Sequence, residues 1–164
     1  MATSTYIPLA GVTLGSAMTE VSITGISQDY SDLVLVVSGA ATSTLRVYFQ
    51  INAYTGSDYD TVRLSGEGST DSSQTLTNQG QFLMTSEAWM NSDGSLMITE
   101  FFDYSATDKH KSLLTRTSTP TRGVEAFAQR LASTAAITSI KVYVSNATFA
   151  AGCTFKLFGI HGEV

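Results

Sequence analysis

Acidic side chains are concentrated in a turn-rich stretch between residues 52 and 78. Asp58, Asp60, Glu67 and Asp71 carry carboxylate oxygens, which are the ligands that Ca²⁺ prefers. Their spacing does not match an EF-hand loop, and the alternative is a loop that its charges keep soluble. We favour the alternative, so the sequence predicts no metal and no other cofactor.

No arrangement of catalytic side chains can be read from the chain. The two histidines, His110 and His161, are far apart and have no second ligand at zinc spacing. The serines include no Gly-x-Ser-x-Gly elbow, and the glycines of 65–69 lack the strand-to-helix context of a phosphate loop. Nothing pairs two carboxylates as glycoside hydrolysis requires. We therefore expect a protein that is not an enzyme.

Aromatic residues in turn regions are the remaining candidates for binding. Tyr54 and Tyr59 flank Gly56, and Trp89 precedes the turn signal of 91–94. Such side chains can stack on sugar rings or anchor a protein interface. The alternative is that they cap the ends of the hydrophobic core.

Charge and hydropathy exclude two classes of partner. The formal net charge is −5, and the nine basic residues are scattered apart from Lys109–Lys111, which we interpret as a solvated turn. Nucleic-acid binding needs clustered Lys and Arg, so none is expected. The longest apolar run, 33–37, is far too short to cross a membrane. The first ten residues lack the features of a secretory signal, so we expect no export by that route. With a single cysteine and hence no disulfide within the chain, the sequence is compatible with synthesis in a reducing bacterial cytoplasm.

Strand signals recur along the chain with turn residues between them. A continuous apolar run, too short for a helix, predicts a strand at 32–38. Further strands are predicted at 21–24, 45–51, 61–64, 95–104, 111–117, 124–131, 137–145 and 154–160. The segment 81–90 is ambiguous between a strand and a short helix, and 91–94 has the composition of a hairpin turn. Cys153, the single cysteine, stands at period two with Phe155 and Leu157 and is expected to be buried.

The pattern predicts an all-β fold, an antiparallel two-sheet β-sandwich of jelly-roll type. Residues 1–20 are expected to form an N-terminal arm or a first short strand, and residues 21–164 a single β-sandwich domain.

Several segments together resemble a group of small virion structural proteins of tailed phages. The resemblance covers most of the chain from Ser31 onward and is carried by Ser31–Gly39, Phe49–Asn52, Gly56–Tyr59, Arg63–Gly68, Thr138–Val144 and Asn146–Ile160. Members of this group look like jelly-roll modules that decorate the capsid as cement proteins or belong to tail fibres. The resemblance offers no catalytic residue.

The resemblance implies a decoration protein on the capsid surface of a virion, in contact with the major capsid protein. Apolar residues exceed what one sandwich face readily hides, so we expect some of Phe101, Phe102, Phe127 and Phe158 to lie at a subunit interface of a homotrimer. The alternative is a tail-fibre or receptor-binding module that grips a host surface glycan with Tyr54, Tyr59 and Trp89. Copy number per particle separates the two.

Overall fold

Strands account for the regular structure of the described residues. A computed structural model describes residues 5–43, 46–86, 90 and 92–162. The strands are β1 (Tyr6–Thr13), β2 (Glu20–Thr24), β3 (Asp32–Gly39), β4 (Val47–Ile51), β5 (Tyr59–Glu67), β6 (Thr70–Gln79), β7 (Phe82–Leu83), β8 (Ser95–Phe102), β9 (Lys111–Thr119), β10 (Gly123–Leu131), β11 (Ser139–Val144) and β12 (Thr154–Ile160). Within these ranges no helix is long and apolar enough to cross a membrane.

The strands form two antiparallel sheets. The larger sheet has eight strands in the order β1-β12-β3-β8-β9-β10-β5-β6, and the smaller has four in the order β2-β11-β4-β7. Neighbours such as β12 and β3 come from distant parts of the chain, so most pairings are non-local. The predicted all-β, two-sheet antiparallel sandwich of jelly-roll type is confirmed.

The hydrophobic core lies between the two sheets and is centred on aromatic rings. Phe49 of the smaller sheet packs against Phe101 of the larger sheet, with ring centroids 5.9 Å apart. Tyr59 meets Phe82 edge to face at 4.7 Å. Cys153 is buried, as predicted, and its thiol donates a hydrogen bond to the Ala40 carbonyl at 3.0 Å.

Part of the inner face of the larger sheet is polar, and its side chains bond the segment that contains β7. Gln129 donates to the Leu83 carbonyl at 2.6 Å and accepts a hydrogen bond from the Thr115 hydroxyl at 2.8 Å. The Ser86 backbone N–H donates to the Glu125 carboxylate at 3.0 Å. Because β7 has only two residues, these side chains supply hydrogen bonds that a longer strand would supply from its backbone.

The structure differs from the sequence prediction around residues 52–94. The stretch predicted to be turn-rich contains the long hairpin of β5 and β6, joined through Gly68, whose φ is +60°. The alternation rule missed β6 because nine of its ten residues are exposed and its sequence is polar apart from Leu76. The hairpin turn predicted at 91–94 lies partly outside the described residues, and residues 87–89 before it lie outside them as well; the nearest described strands on either side, β7 and β8, lie in different sheets.

The basic cluster at 109–111 was only partly interpreted correctly. Lys109 is exposed and pairs with Asp103 at 2.9 Å. Lys111, in contrast, begins β9 and is buried, and its ammonium donates to the Ala106 carbonyl. Burial lowers the pKa of Lys111, because desolvation disfavours the charged form.

Candidate interaction surface

The outer face of the eight-stranded sheet exposes aliphatic side chains where polar ones are usual. On β5, Val62 and Leu64 point outward and are 45% and 57% exposed. Thr61, the residue before Val62, faces inward and is buried. On β10, Val124 is 61% exposed and its neighbour Glu125 is buried. The side-chain alternation of a strand therefore places the apolar set outside on both strands.

The same face carries further apolar side chains across the sheet. Leu96 and Phe102 of β8 alternate with the buried Met97 and Phe101, so both point outward. At the far side of the sheet, Tyr6 contacts Phe158 edge to face, with centroids 6.4 Å apart. Eight large hydrophobic side chains are exposed among the described residues, and six of them lie on this face: Tyr6, Val62, Leu64, Leu96, Phe102 and Val124.

A shallow groove runs over this outer face near β6. Its volume is about 670 Å³, and its apolar lining includes Leu64, Leu96, Ile98, Val124 and Ala126. Strand pairing explains the grouping, because Leu64 is opposite Ala126, and Ala126 is opposite Arg116 on β9. Arg116 pairs with Glu100 at 2.9 Å, which places one ion pair beside the aliphatic strip.

Although most of the inner face of the larger sheet is hydrophobic core, its β9 and β10 region departs from the usual pattern. A sheet with one solvated face normally turns polar residues to water and apolar residues to the core. Here the inner face of β9 and β10 includes Thr115, Thr117, Glu125 and Gln129, and the outer face is rich in aliphatics. Contiguous exposed apolar surface of this kind marks sites of protein–protein contact.

A second cluster, beneath the β5–β6 hairpin, is polar. The cavity has a volume of about 340 Å³ and is lined by Arg46, Arg63, Ser65, Glu67, Ser72, Gln74, Ser86 and Arg122. Arg122 pairs with Glu67 at 3.3 Å, and Arg63 lies 3.9 Å from the buried Glu125. Burial raises the pKa of Glu125, while the Ser86 hydrogen bonds oppose the rise. Arg63 and Arg122 thus lie near carboxylates of the same chain, so part of the positive charge of the cluster is compensated.

Of the three aromatic residues considered for glycan binding, Tyr54 is the one that the structure describes as exposed. Tyr54 is 39% exposed, and its hydroxyl hydrogen-bonds the Asp58 carboxylate, which raises the pKa of Tyr54. Tyr59 is fully buried and donates to the Tyr54 carbonyl at 2.8 Å, so its ring has no face for a sugar. Trp89 lies outside the described residues.

The four phenylalanines proposed for a subunit interface divide into two pairs. Phe101 and Phe127 are fully buried within one chain, so the expectation that they reach a second subunit is corrected: alternation turns both inward. Phe102 is 42% exposed and Phe158 is half-buried, and both belong to the outer face described above. Period two predicts that successive residues alternate between faces, but it does not say which face meets water.

Three of the four acidic residues considered for calcium have contacts of their own. Asp60 pairs with Arg130, Glu67 pairs with Arg122, and Asp58 bonds Tyr54. In the part of the chain that the structure describes, no three His, Cys, Asp or Glu side chains are grouped as a metal site would require. His161 is exposed and contacts the Tyr30 ring at 4.9 Å.

Comparison with known proteins gives only distant structural likeness. No protein-family model and no curated protein matches the chain. A galectin of Caenorhabditis elegans, LEC-6, is similar with a TM-score of 0.40 and 10% identity, over 93% of this chain and 96% of the galectin. Sucrose-6-phosphate hydrolase from Lactobacillus gasseri has a TM-score of 0.34 and 13% identity, over 88% of this chain and 28% of the hydrolase. A mutant alginate lyase, Aly36B, has a TM-score of 0.35 and 8% identity, over 94% of this chain and 81% of the lyase. At these scores we draw no functional argument from the likeness.

Proposed function

We propose that this chain is a non-enzymatic structural protein of a tailed-phage particle, a decoration protein that binds the major capsid protein through the outer face of its eight-stranded sheet. The observation that carries the proposal is the apolar outer face: aliphatic side chains of β5, β8 and β10 point to solvent, while the buried residues of β9 and β10 include threonine, glutamine and glutamate. The sequence resemblance to phage virion proteins directs the proposal to the capsid.

The size of the outer face suits such a contact. Eight strands spaced about 4.8 Å apart, each about eight residues long, span roughly 34 Å by 27 Å, or about 900 Å². A standard protein–protein interface buries about 800 Å² on each partner. The face is therefore large enough for a contact of standard size.

The contribution of two exposed side chains to the free energy of binding can be approximated from their exposure. Leu64 and Val124 are 57% and 61% exposed in the free chain. Full burial of a Leu or Val side chain contributes about 1.5–3 kcal/mol, so covering the exposed fraction contributes about 1–2 kcal/mol for each. Replacing both by Asp also leaves two carboxylates to desolvate, so we expect binding to weaken by at least about 30-fold.

The test uses capsid shells that lack this protein and purified chain added back. Bound copies are counted by quantitative mass spectrometry of sedimented particles. The wild-type chain is expected to bind in hundreds of copies, and the double variant Leu64→Asp/Val124→Asp to lose binding. Met18→Asp is the matched control, because Met18 is 46% exposed but lies outside the eight-stranded sheet.

Two results would contradict the proposal. Undiminished binding of the double variant would remove the outer face from the contact. A count of a few dozen copies or fewer on intact virions would place the chain in the tail instead, the location that the receptor-binding alternative requires.

A further inference from the structure

The strand β6 forms one edge of the eight-stranded sheet and is open to pairing. It is ten residues long and pairs with β5 along one side, in unbroken register from Thr61↔Leu76 to Glu67↔Thr70. Among the described strands it is the last of its sheet. The backbone groups along its other side are directed to solvent.

The other sheet edges carry features that hinder pairing, and β6 does not. The opposite edge, β1, contains Pro8, which lacks an N–H donor, and its register shifts between Pro8 and Ala10. The edges of the smaller sheet, β2 and β7, have five and two residues. Long, neutral edge strands without proline or lysine are templates for another strand. The sequence of β6 contains neither residue, and Asp71 is its single charge.

Hairpin geometry identifies the backbone groups that are available. The turn between β5 and β6 has two residues, Gly68 and Ser69, so the closing pair Glu67↔Thr70 is a hydrogen-bonded pair. Alternate residues of β6 then direct their N–H and C=O groups away from β5: Asp71, Ser73 and Thr75. The centre of the regular stretch 70–76 is Ser73.

We propose that β6 pairs antiparallel with β6 of a second copy of this chain, about a two-fold axis at Ser73, to join two sheets into one of sixteen strands. This register places Ser73 opposite Ser73 and Asp71 opposite Thr75 of the other copy. The two Asp71 residues then lie about four residues apart along the ladder, roughly 14 Å. That separation exceeds the Debye length of about 10 Å at 0.1 M salt, so the like charges are screened.

A second copy fits this edge better than a charged partner strand. The exposed side chains of β6 are mostly hydroxyls and amides, which form hydrogen bonds across a strand pair without requiring an opposite charge. The pairing also joins the outer faces of the two copies through Val62 and Leu64, which lie on the strand next to β6. An antiparallel pair of identical strands forms a dimer, in place of the trimer expected from the sequence.

The test measures mass and cross-linking in solution. Light scattering of the purified chain at 100 µM is expected to give a dimer of 35 kDa, twice the chain mass of 17.5 kDa. Ser73→Cys is expected to form an intermolecular disulfide on mild oxidation, because the Cα atoms of a hydrogen-bonded pair lie about 5.5 Å apart, within the range for a disulfide. Thr13→Cys on β1 is the matched exposed control and should not cross-link.

Ser73→Pro and Ser73→Lys block the edge in two different ways. The first removes an outward N–H and the second brings two ammonium groups together; both are expected to give a 17.5 kDa monomer with little change in melting temperature. A wild-type monomer or trimer at 100 µM would overturn the proposal, as would a dimer that neither Ser73 variant dissociates. The outcome is independent of capsid binding, since the Leu64→Asp/Val124→Asp variant should remain a dimer.

Discussion

Gln129 is the side chain whose loss should most directly expose the role of the polar inner face. It is 4% exposed and connects two elements: it donates to the Leu83 carbonyl at 2.6 Å and accepts from the Thr115 hydroxyl at 2.8 Å. Leucine has nearly the same volume as glutamine but makes neither bond. Gln129→Leu therefore tests hydrogen bonding with little change in packing.

The two lost bonds do not cost the same. The Leu83 carbonyl loses its side-chain donor in a buried place, at a cost of about 1–3 kcal/mol. The Thr115 hydroxyl keeps Thr99 as a partner at 2.9 Å, so its loss is about 0.5–1.5 kcal/mol. The sum is about 2–4 kcal/mol, which lowers the melting temperature of a chain of this length by roughly 5–15 °C.

Thermal and urea unfolding followed by circular dichroism would measure the effect. Gln79→Leu is the control: Gln79 is exposed and bonds only locally to Thr77, so its replacement should change stability by less than about 0.5 kcal/mol. If Gln129→Leu were as stable as the wild type, the polar inner face would contribute nothing to stability. In that case the hydrogen bonds of Gln129 to Leu83 of β7 and Thr115 of β9 would not stabilise the fold.

Three further predictions follow from buried or confined groups. Burial raises the pKa of Glu125 above its ordinary value of 4.5, so the ionisation of Glu125 as the pH rises above that value lowers the stability of the wild type. The stability of Glu125→Gln relative to wild type, measured by urea titration, should therefore increase between pH 4.5 and 7. A difference that stays constant with pH would contradict this. Gly123 has φ +128°, and a Cβ there would lie 2.2 Å from the Gly66 carbonyl oxygen, so Gly123→Ala should lower the free energy of unfolding by about 2 kcal/mol or more. Gly11→Ala, in open space, is the control and should leave stability unchanged. Equal melting temperatures for the two variants would refute the clash. The buried Cys153 thiol, its pKa raised by desolvation, should not react with a thiol reagent until the protein unfolds, and rapid labelling of the native chain would contradict its burial.

Strands that contribute apolar residues to the hydrophobic core could be predicted from the sequence, because burial leaves an apolar run or an apolar–polar alternation in their residues. The predicted strands at 32–38 and 154–160 nearly coincide with β3 and β12, which pair along their whole length in the larger sheet. The buried Cys153 followed from the same periodicity. For strands whose residues are buried in the core, the local sequence pattern was sufficient to predict the strand.

The candidate surface could not be predicted, for two physical reasons. Alternation in Thr61–Ser65 and in Val124–Ala128 fixes two faces but not their direction, and the other sheet decides which one is covered. The hydroxyl-rich β6 has a single apolar residue, Leu76, so no periodic signal distinguishes it from a loop. For Tyr59 the sequence leaves open both a binding role and a place in the core, and its packing against Phe82 supports the second.

If another protein covers the outer face of the eight-stranded sheet in the assembled particle, a cryo-electron microscopy reconstruction of that particle, with this chain located, will show the contact. Leu64, Leu96 and Val124 are expected to lie within about 4.5 Å of atoms of a neighbouring protein. A reconstruction in which these side chains face open solvent, while another surface of the chain makes the contacts, would contradict this expectation.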